Sequence, residues 1–277
     1  GVVNVILNLF FVIVCHLDVA GVALASMISQ FISAFLILRA LLTGKEKYCL
    51  RLSEIRFDKR KAVGILQIGI PSAFQYSLFA FANLFVQSSV NSFDHVLVEG
   101  NSAAANADPL VYDMMAAFYT ACSSFIAQNF GARKKKRILQ TYLICLFYSF
   151  ITSLVLGVGI YLARYPFLYL FTSDKAVVEA GITRLSIMAL SYSASAFMDA
   201  SIAASRGLGK TAVPTFVVVM GSCVFRIIWI YTIFAYFHTI QSLYILYVFS
   251  WGITAIAENI YFFHVYRHTL TEKKELC

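Results

Sequence analysis

The chain has 277 residues, of which 60% are hydrophobic, 16% aromatic and only 13% charged, with a mean hydropathy of +0.76. Soluble domains are nearer ~45–50% apolar, so these values exclude one and imply an all-α polytopic membrane protein. The formal charge of +8 is accounted for by Lys and Arg in short interhelical loops, following the positive-inside rule, and not by binding to nucleic acid. The six cysteines are scattered singly, without a Cys-x-x-Cys pair, which suits small apolar fillers better than a disulfide framework or a zinc site.

Residues 1–16 are apolar but reach His16-Leu17-Asp18 before the ~20 residues a full span needs. A chain that starts without Met and inside a hydrophobic helix reads as a fragment. A second span is predicted over 19–42. The polar stretch 43–61, with Lys45, Lys47, Arg51, Arg56, Lys59, Arg60 and Lys61, reads as a linker between two bundles. Six further spans are predicted at 62–92, 107–131, 138–163, 181–205, 212–237 and 242–265, followed by a tail at 266–277. Loops on one side hold seventeen Lys and Arg, from 43–61, 133–137, Arg206 with Lys210, and Arg267, Lys273 and Lys274. Loops on the other side hold three, Arg164, Lys175 and Arg184. The linker and the C-terminus are therefore expected in the cytoplasm. The first hairpin (1–42) and the last (222–265) share a layout, with Ser29, Gln30 and Ser33 beside Ser250, Trp251 and Thr254. That fits the parallel internal duplication many transporters use.

Polar residues inside the spans are the candidate site. In the third span Pro71 is followed by Gln75, Asn83, Gln87 and Asn91 at multiples of four. That stripe drifts ~40° per step, so it suits either hydrogen bonding between helices or a wet cavity. In the fourth span Asp113, Thr120, Ser124 and Gln128 form one helical stripe, and Asp113, near the outer end, reads as a vestibule residue. Asp108-Pro109 marks that helix's start. In the sixth span Ser191, Ser195 and Asp199 share a face among small alanines. A carboxylate at that depth costs at least ~2.5–3.5 kcal/mol, which makes Asp199 a functional candidate. Arg226 comes twelve residues after Pro214, ~18 Å into its span, and needs a partner. Glu258, with Trp251 and Thr254 on its face, is a second acid. If Arg226 neutralises one acid, the other is free to bind a proton or Na+. The five histidines sit at span ends or turns and no Walker loop is present, so enzyme chemistry is not expected.

Several of these motifs carry a family resemblance. The run Phe197-Met-Asp199 through Arg206-Gly-Leu-Gly209-Lys-Thr-Ala-Val-Pro214, with Gly221-Ser-Cys-Val-Phe-Arg226, resembles the multidrug and toxic compound extrusion (MATE) family. So do Gly69-Ile-Pro71-Ser, Asn83-Leu-Phe-Val-Gln87, Asn101 to Asn106, Gln128-Asn-Phe-Gly131, and Val19 to Ala25 with Ile28-Ser-Gln30. The resemblance implies twelve helices in two six-helix lobes. This chain then holds the end of one lobe (1–42), the interlobe linker (43–61), a complete C-terminal lobe (62–265) and a tail (266–277).

The resemblance also implies export of cationic amphipathic compounds by rocking-bundle antiport, with Na+ or H+ as coupling ion and no other cofactor. Asp199 falls at the family's cation-site aspartate. The glutamate some members carry in the span matching 62–92 is absent, as is an aspartate from helix one. The cavity is expected to be lined by Gln75, Asn83, Gln87, Asp113, Thr120 and Tyr192, and Asp199 and Glu258 are the cation-coupling candidates; of the two acids, Glu258 is the favoured partner of Arg226 and Asp199 the favoured ion site. The implied partners are the lipid bilayer, small cationic compounds and the remaining N-terminal helices, in the plasma membrane. The alternatives are a flippase for lipid-linked oligosaccharides, which calls for a cavity rich in Arg and Lys, and a non-transporting assembly subunit.

Overall fold

The computed structural model describes residues 1–43 and 50–269. Lys45, Lys47 and Cys49 of the linker, and Lys273, Lys274 and Cys277 of the tail, lie outside the described residues. Among the described residues the chain is helical, without strands. The long helices are α1 (Val2–Val14), α2 (Asp18–Thr43), α3 (Lys59–Val90), α4 (His95–Gly131), α5 (Lys135–Leu162), α6 (Lys175–Gly207), α7 (Ala212–Phe237) and α8 (Ile240–His268). Seven of the described helices are long and apolar enough to cross a membrane, and α1 is shorter. The chain divides into two compact units, Gly1–Ala62 and Val63–Cys277.

In the first unit α1 packs on α2. Gly21 permits the close approach, since a Cβ there meets the Phe11 Cβ at 3.0 Å. The Asn4 amide donates across to Ser29 Oγ at 3.1 Å. The turn is made by His16 and Asp18, both with positive φ. Helix α3 starts at Lys59 because the Asp58 carboxylate accepts from the backbone N–H of Arg60 (2.9 Å) and Lys61 (3.2 Å), two donors that a helix end otherwise leaves orphaned.

The second unit is built around α6. Helices α4, α5 and α8 all pack against it, and nineteen of its 33 residues are buried. Between helices in a membrane there is no hydrophobic gain over lipid, so small residues and close approach drive packing. Gly100 of α4 lies against Ala180 and Gly181 of α6, where an added Cβ comes within 2.7 Å and 2.8 Å. A Cβ on Gly157 of α5 overlaps the Ala189 carbonyl oxygen.

The expected span 107–131 is present as Ala107–Gly131, but a helical segment His95–Ala105 that the hydropathy did not announce precedes it within α4, started by the Asp94 side chain, which accepts from Leu97 N at 3.0 Å. The two segments meet at a break at Asn106. There Pro109 has no N–H to donate, and the Asn106 amide donates to the carbonyls of Ser102 and Ala103, both at 3.1 Å. Helix α6 begins at Lys175 and not at 181, capped by Asp174, which accepts from Ala176 N at 2.8 Å. As a result Arg184, expected in an outer loop, is interior to α6 and 6% exposed. Helix α7 matches its expected span but contains two wide π-helical turns, Val219–Val224 and Ile230–Phe234, on either side of the stretch carrying Arg226.

Candidate functional site

Helices α3, α4, α6 and α8 of the second unit enclose two cavities. The larger, about 370 Å³, is bordered by Asn83, Gln87, Asn101, Asp108, Arg184 and Tyr247. The smaller, about 190 Å³, is bordered by Gln75, Tyr76, Tyr119, Asp199 and Arg206. Phe79, Tyr112 and Trp251 line both, and Tyr112 meets Trp251 edge-on at 6.0 Å. The partition between the cavities is therefore aromatic.

Asp199 reaches the smaller cavity from the small-residue face of α6. It is partly buried and makes no hydrogen bond or ion pair among the described residues. Arg206 borders the same cavity. Arg206 donates to Gln75 Oε1 at 3.0 Å and lies 5.7 Å over the Tyr76 ring, while its Nε is buried without a partner. The turn after it closes through Gly209 at φ 76°, with Gly209 N donating to the Arg206 carbonyl at 2.8 Å. A left-handed residue there calls for glycine.

Arg226 corrects an expectation. It is fully buried but is not paired with Glu258 or with Asp199. Its Nη1 donates to Asn83 Oδ1 at 2.7 Å and its Nε to Ser250 Oγ at 3.2 Å. Its guanidinium is also sandwiched between Phe79 and Tyr247, 4.6 Å from each ring. The reason is one of register. Arg226 meets α8 at Ser250, and Glu258 lies eight residues, or ~12 Å, further along that helix. Glu258 is buried with neither carboxylate oxygen bonded among the described residues.

The amide stripe of α3 lines both cavities, with Gln75 at the smaller and Asn83 and Gln87 at the larger. It also ties α3 to its neighbours. Thr211 donates to the Gln67 carbonyl (3.4 Å), Arg206 to Gln75 (3.0 Å) and Arg226 to Asn83 (2.7 Å), so the contacts on α3 are spaced by eight residues. Asp113 and Thr120 are exposed and border neither cavity. Tyr192 is closed into the core, where its hydroxyl donates to Asp108 Oδ1 at 2.5 Å.

That last bond belongs to a cluster the sequence spacing did not bring together. Arg184 Nη2 donates to Asp108 Oδ2 at 2.6 Å, and its Nη1 to the Asn101 carbonyl at 2.9 Å. The signal was present in Asp174-Lys175, a helix-start pair that places Arg184 nine residues inside α6.

Residues 71–232, more than half of the chain, match the MatE family model. This chain belongs to the MATE family. The MATE chain is 23% identical over 204 residues to the probable multidrug resistance protein NorM of Thermotoga maritima, a match covering 72% of this chain and 43% of that protein. It is 23% identical over 167 residues to the FAD transporter of Shewanella oneidensis, covering 59% and 36%. Among solved structures, a MOP-superfamily transporter from Pyrococcus furiosus superposes with a TM-score of 0.88 at 19% identity, over 96% of this chain and 60% of that one. An outward-facing multidrug resistance MATE transporter gives 0.87 at 19% identity over the same shares. These identities show the fold. The MATE chain spans about two fifths of its curated relatives' length. Family and apolar spans together make it an integral membrane protein.

Proposed function

We propose that this MATE chain forms the C-terminal part of a secondary multidrug exporter that exchanges cationic amphipathic compounds for Na+ or H+. In this reading 1–42 end the N-terminal lobe, 43–61 link the lobes and 62–265 form the C-terminal lobe, in the plasma membrane with linker and tail cytoplasmic. The transporter is completed by further helices of the N-terminal lobe. The observation that carries the proposal is Asp199, a carboxylate at a cavity lined by Tyr76, Tyr119 and Trp251, with no bonded partner among the described residues. An acid in that state takes a proton, Na+ or an organic cation, and only one at a time, which is the exchange an antiporter needs. The aromatic partition offers flat, apolar faces to an amphipathic cation. Glu258, sealed in the core, is assigned a second proton-holding role.

The test is Asp199→Asn in the transporter. Export of a fluorescent cationic compound is expected to stop while the protein still inserts and folds. Undiminished export by that variant removes Asp199 from the mechanism. A second reading, an anionic cargo, is favoured by Arg226, a buried cation without a carboxylate partner among the described residues. The relative named as an FAD transporter gives that reading a concrete probe. Displacement of the bound cationic dye by Na+ or acid supports the first reading, and saturable binding of FAD that is lost in Arg226→Met supports the second.

A further inference from the structure

Between Asp113 and Asp174 the sequence holds no acidic residue, yet five consecutive bases, Arg133 to Arg137, fall in that stretch. They form the turn from α4 to α5, and the backbone holds that turn in a defined shape. Arg133 adopts φ 54°, and the N–H groups of Arg133 and Lys134 donate to the carbonyls of Phe130 (3.0 Å) and Asn129 (2.9 Å). One base is engaged within the protein. Lys135 Nζ donates to the Arg267 carbonyl at 2.8 Å and lies 5.3 Å over the Tyr266 ring.

Lys134 and Arg137 face elsewhere. With Gln128 and Gln140 they border a surface groove of about 480 Å³ between α4 and α5, which Phe125 and Ile144 also line. Both bases are exposed and neither has an ion pair among the described residues. Phe125 and Ile144 are each 55% exposed. Ile144 lies seven residues, or ~10 Å, along α5 from Arg137, so the groove is cationic at the end of the spans and apolar about two turns inward. That is the sequence of groups a phospholipid presents at the membrane surface.

We propose that this groove is a binding site for an anionic phospholipid, with its phosphate between Lys134 and Arg137 and an acyl chain along Phe125 and Ile144. The guanidinium and ammonium supply charge-assisted hydrogen bonds to phosphate oxygens, and juxtamembrane bases are attracted to anionic headgroups. A zwitterionic lipid supplies the same chain but no net charge.

The test is native mass spectrometry of the purified protein with phosphatidylglycerol or phosphatidylcholine, and it does not depend on transport. Wild type is expected to retain phosphatidylglycerol preferentially. Lys134→Ala/Arg137→Ala is expected to weaken that retention about tenfold or more, as two lost bases imply. The charge-matched Arg133→Ala/Lys136→Ala, outside the groove, is expected to weaken it by no more than about threefold. Equal loss in both pairs, or no preference for phosphatidylglycerol, overturns the proposal. Displacement by inorganic phosphate alone assigns the groove to free anions and overturns the lipid. A Gln140→Cys variant that stays unreactive to thiol reagents after delipidation shows the groove covered by another protein segment, which also overturns it.

Discussion

Replacing Arg226 with Met separates stability from function at the centre of the site. The guanidinium makes two hydrogen bonds, at 2.7 Å and 3.2 Å, and two ring contacts at 4.6 Å. Hydrogen bonds to a charged group contribute ~1.5–3 kcal/mol each, and desolvated cation–π contacts ~2 kcal/mol each, or about 7–10 kcal/mol together. Against this stands the cost of burying a charge with no counter-ion, which is several kcal/mol even after relaxation. The two sides nearly cancel. Met fills similar space and carries no charge, so Arg226→Met is expected to change unfolding free energy by less than ~2 kcal/mol, measured by denaturant titration in mixed micelles. Binding of a fluorescent cationic compound is expected to fall about tenfold, ~1.4 kcal/mol, because the Asn83 wall of the larger cavity loses its anchor. Asn83→Leu should reproduce that loss. A destabilisation above ~4 kcal/mol would place Arg226 among groups kept for the fold and refute this account.

Three further outcomes follow from the packing. Asp108→Asn leaves the Arg184 charge without its partner. Breaking a buried pair costs ~3–5 kcal/mol, but the Asp108 side chain is 28% exposed, so about 2–3 kcal/mol is expected. Arg184→Met/Asp108→Leu should recover more than half of that shift in a thermal melt, and a double variant no better than the single one contradicts the pairing. On α5, Gly157→Ala forces a Cβ onto the Ala189 carbonyl and should cost ~1–3 kcal/mol or more. Gly159→Ala, with nothing within 4 Å, should be neutral or stabilising by up to ~1 kcal/mol. Equal melting temperatures for those two variants rule out the close approach of α5 to α6.

The spans were legible because hydropathy reports length directly, and α7 ends where expected. The lead-in segment His95–Ala105 and the start of α6 were not, since hydropathy rises gradually there while the helix is set by a single side chain, Asp94 or Asp174. That shift of register hid the Asp108–Arg184–Tyr192 cluster and made Arg184 look like a loop charge. The position of Asp199 at a cavity was readable from its small-residue surroundings. The partner of Arg226 was not, because charge alone predicts an acid and says nothing of where α8 presents Ser250 or Glu258. An amide and a hydroxyl took the place of a carboxylate through position alone.

The attachment of α3 has a mechanical consequence. Of its 32 residues only Gln75, Ala82, Val86 and Val90 are buried, so its apolar seam is confined to the last turns, where Val86 and Val90 join a cluster with Trp229, Leu243 and Tyr244. It is also held at three latches eight residues apart, each a hydrogen bond that water or a bound molecule can replace at a net cost of only ~0.5–3 kcal/mol. α6, by contrast, is locked by glycine contacts that tolerate no sliding. The two cavities therefore share one closely locked wall and one held along much of its length by polar latches, and two of the three latches are donated by arginines, of which Arg206 borders the smaller cavity. Any molecule that competes for those guanidinium groups also loosens the wall that encloses it.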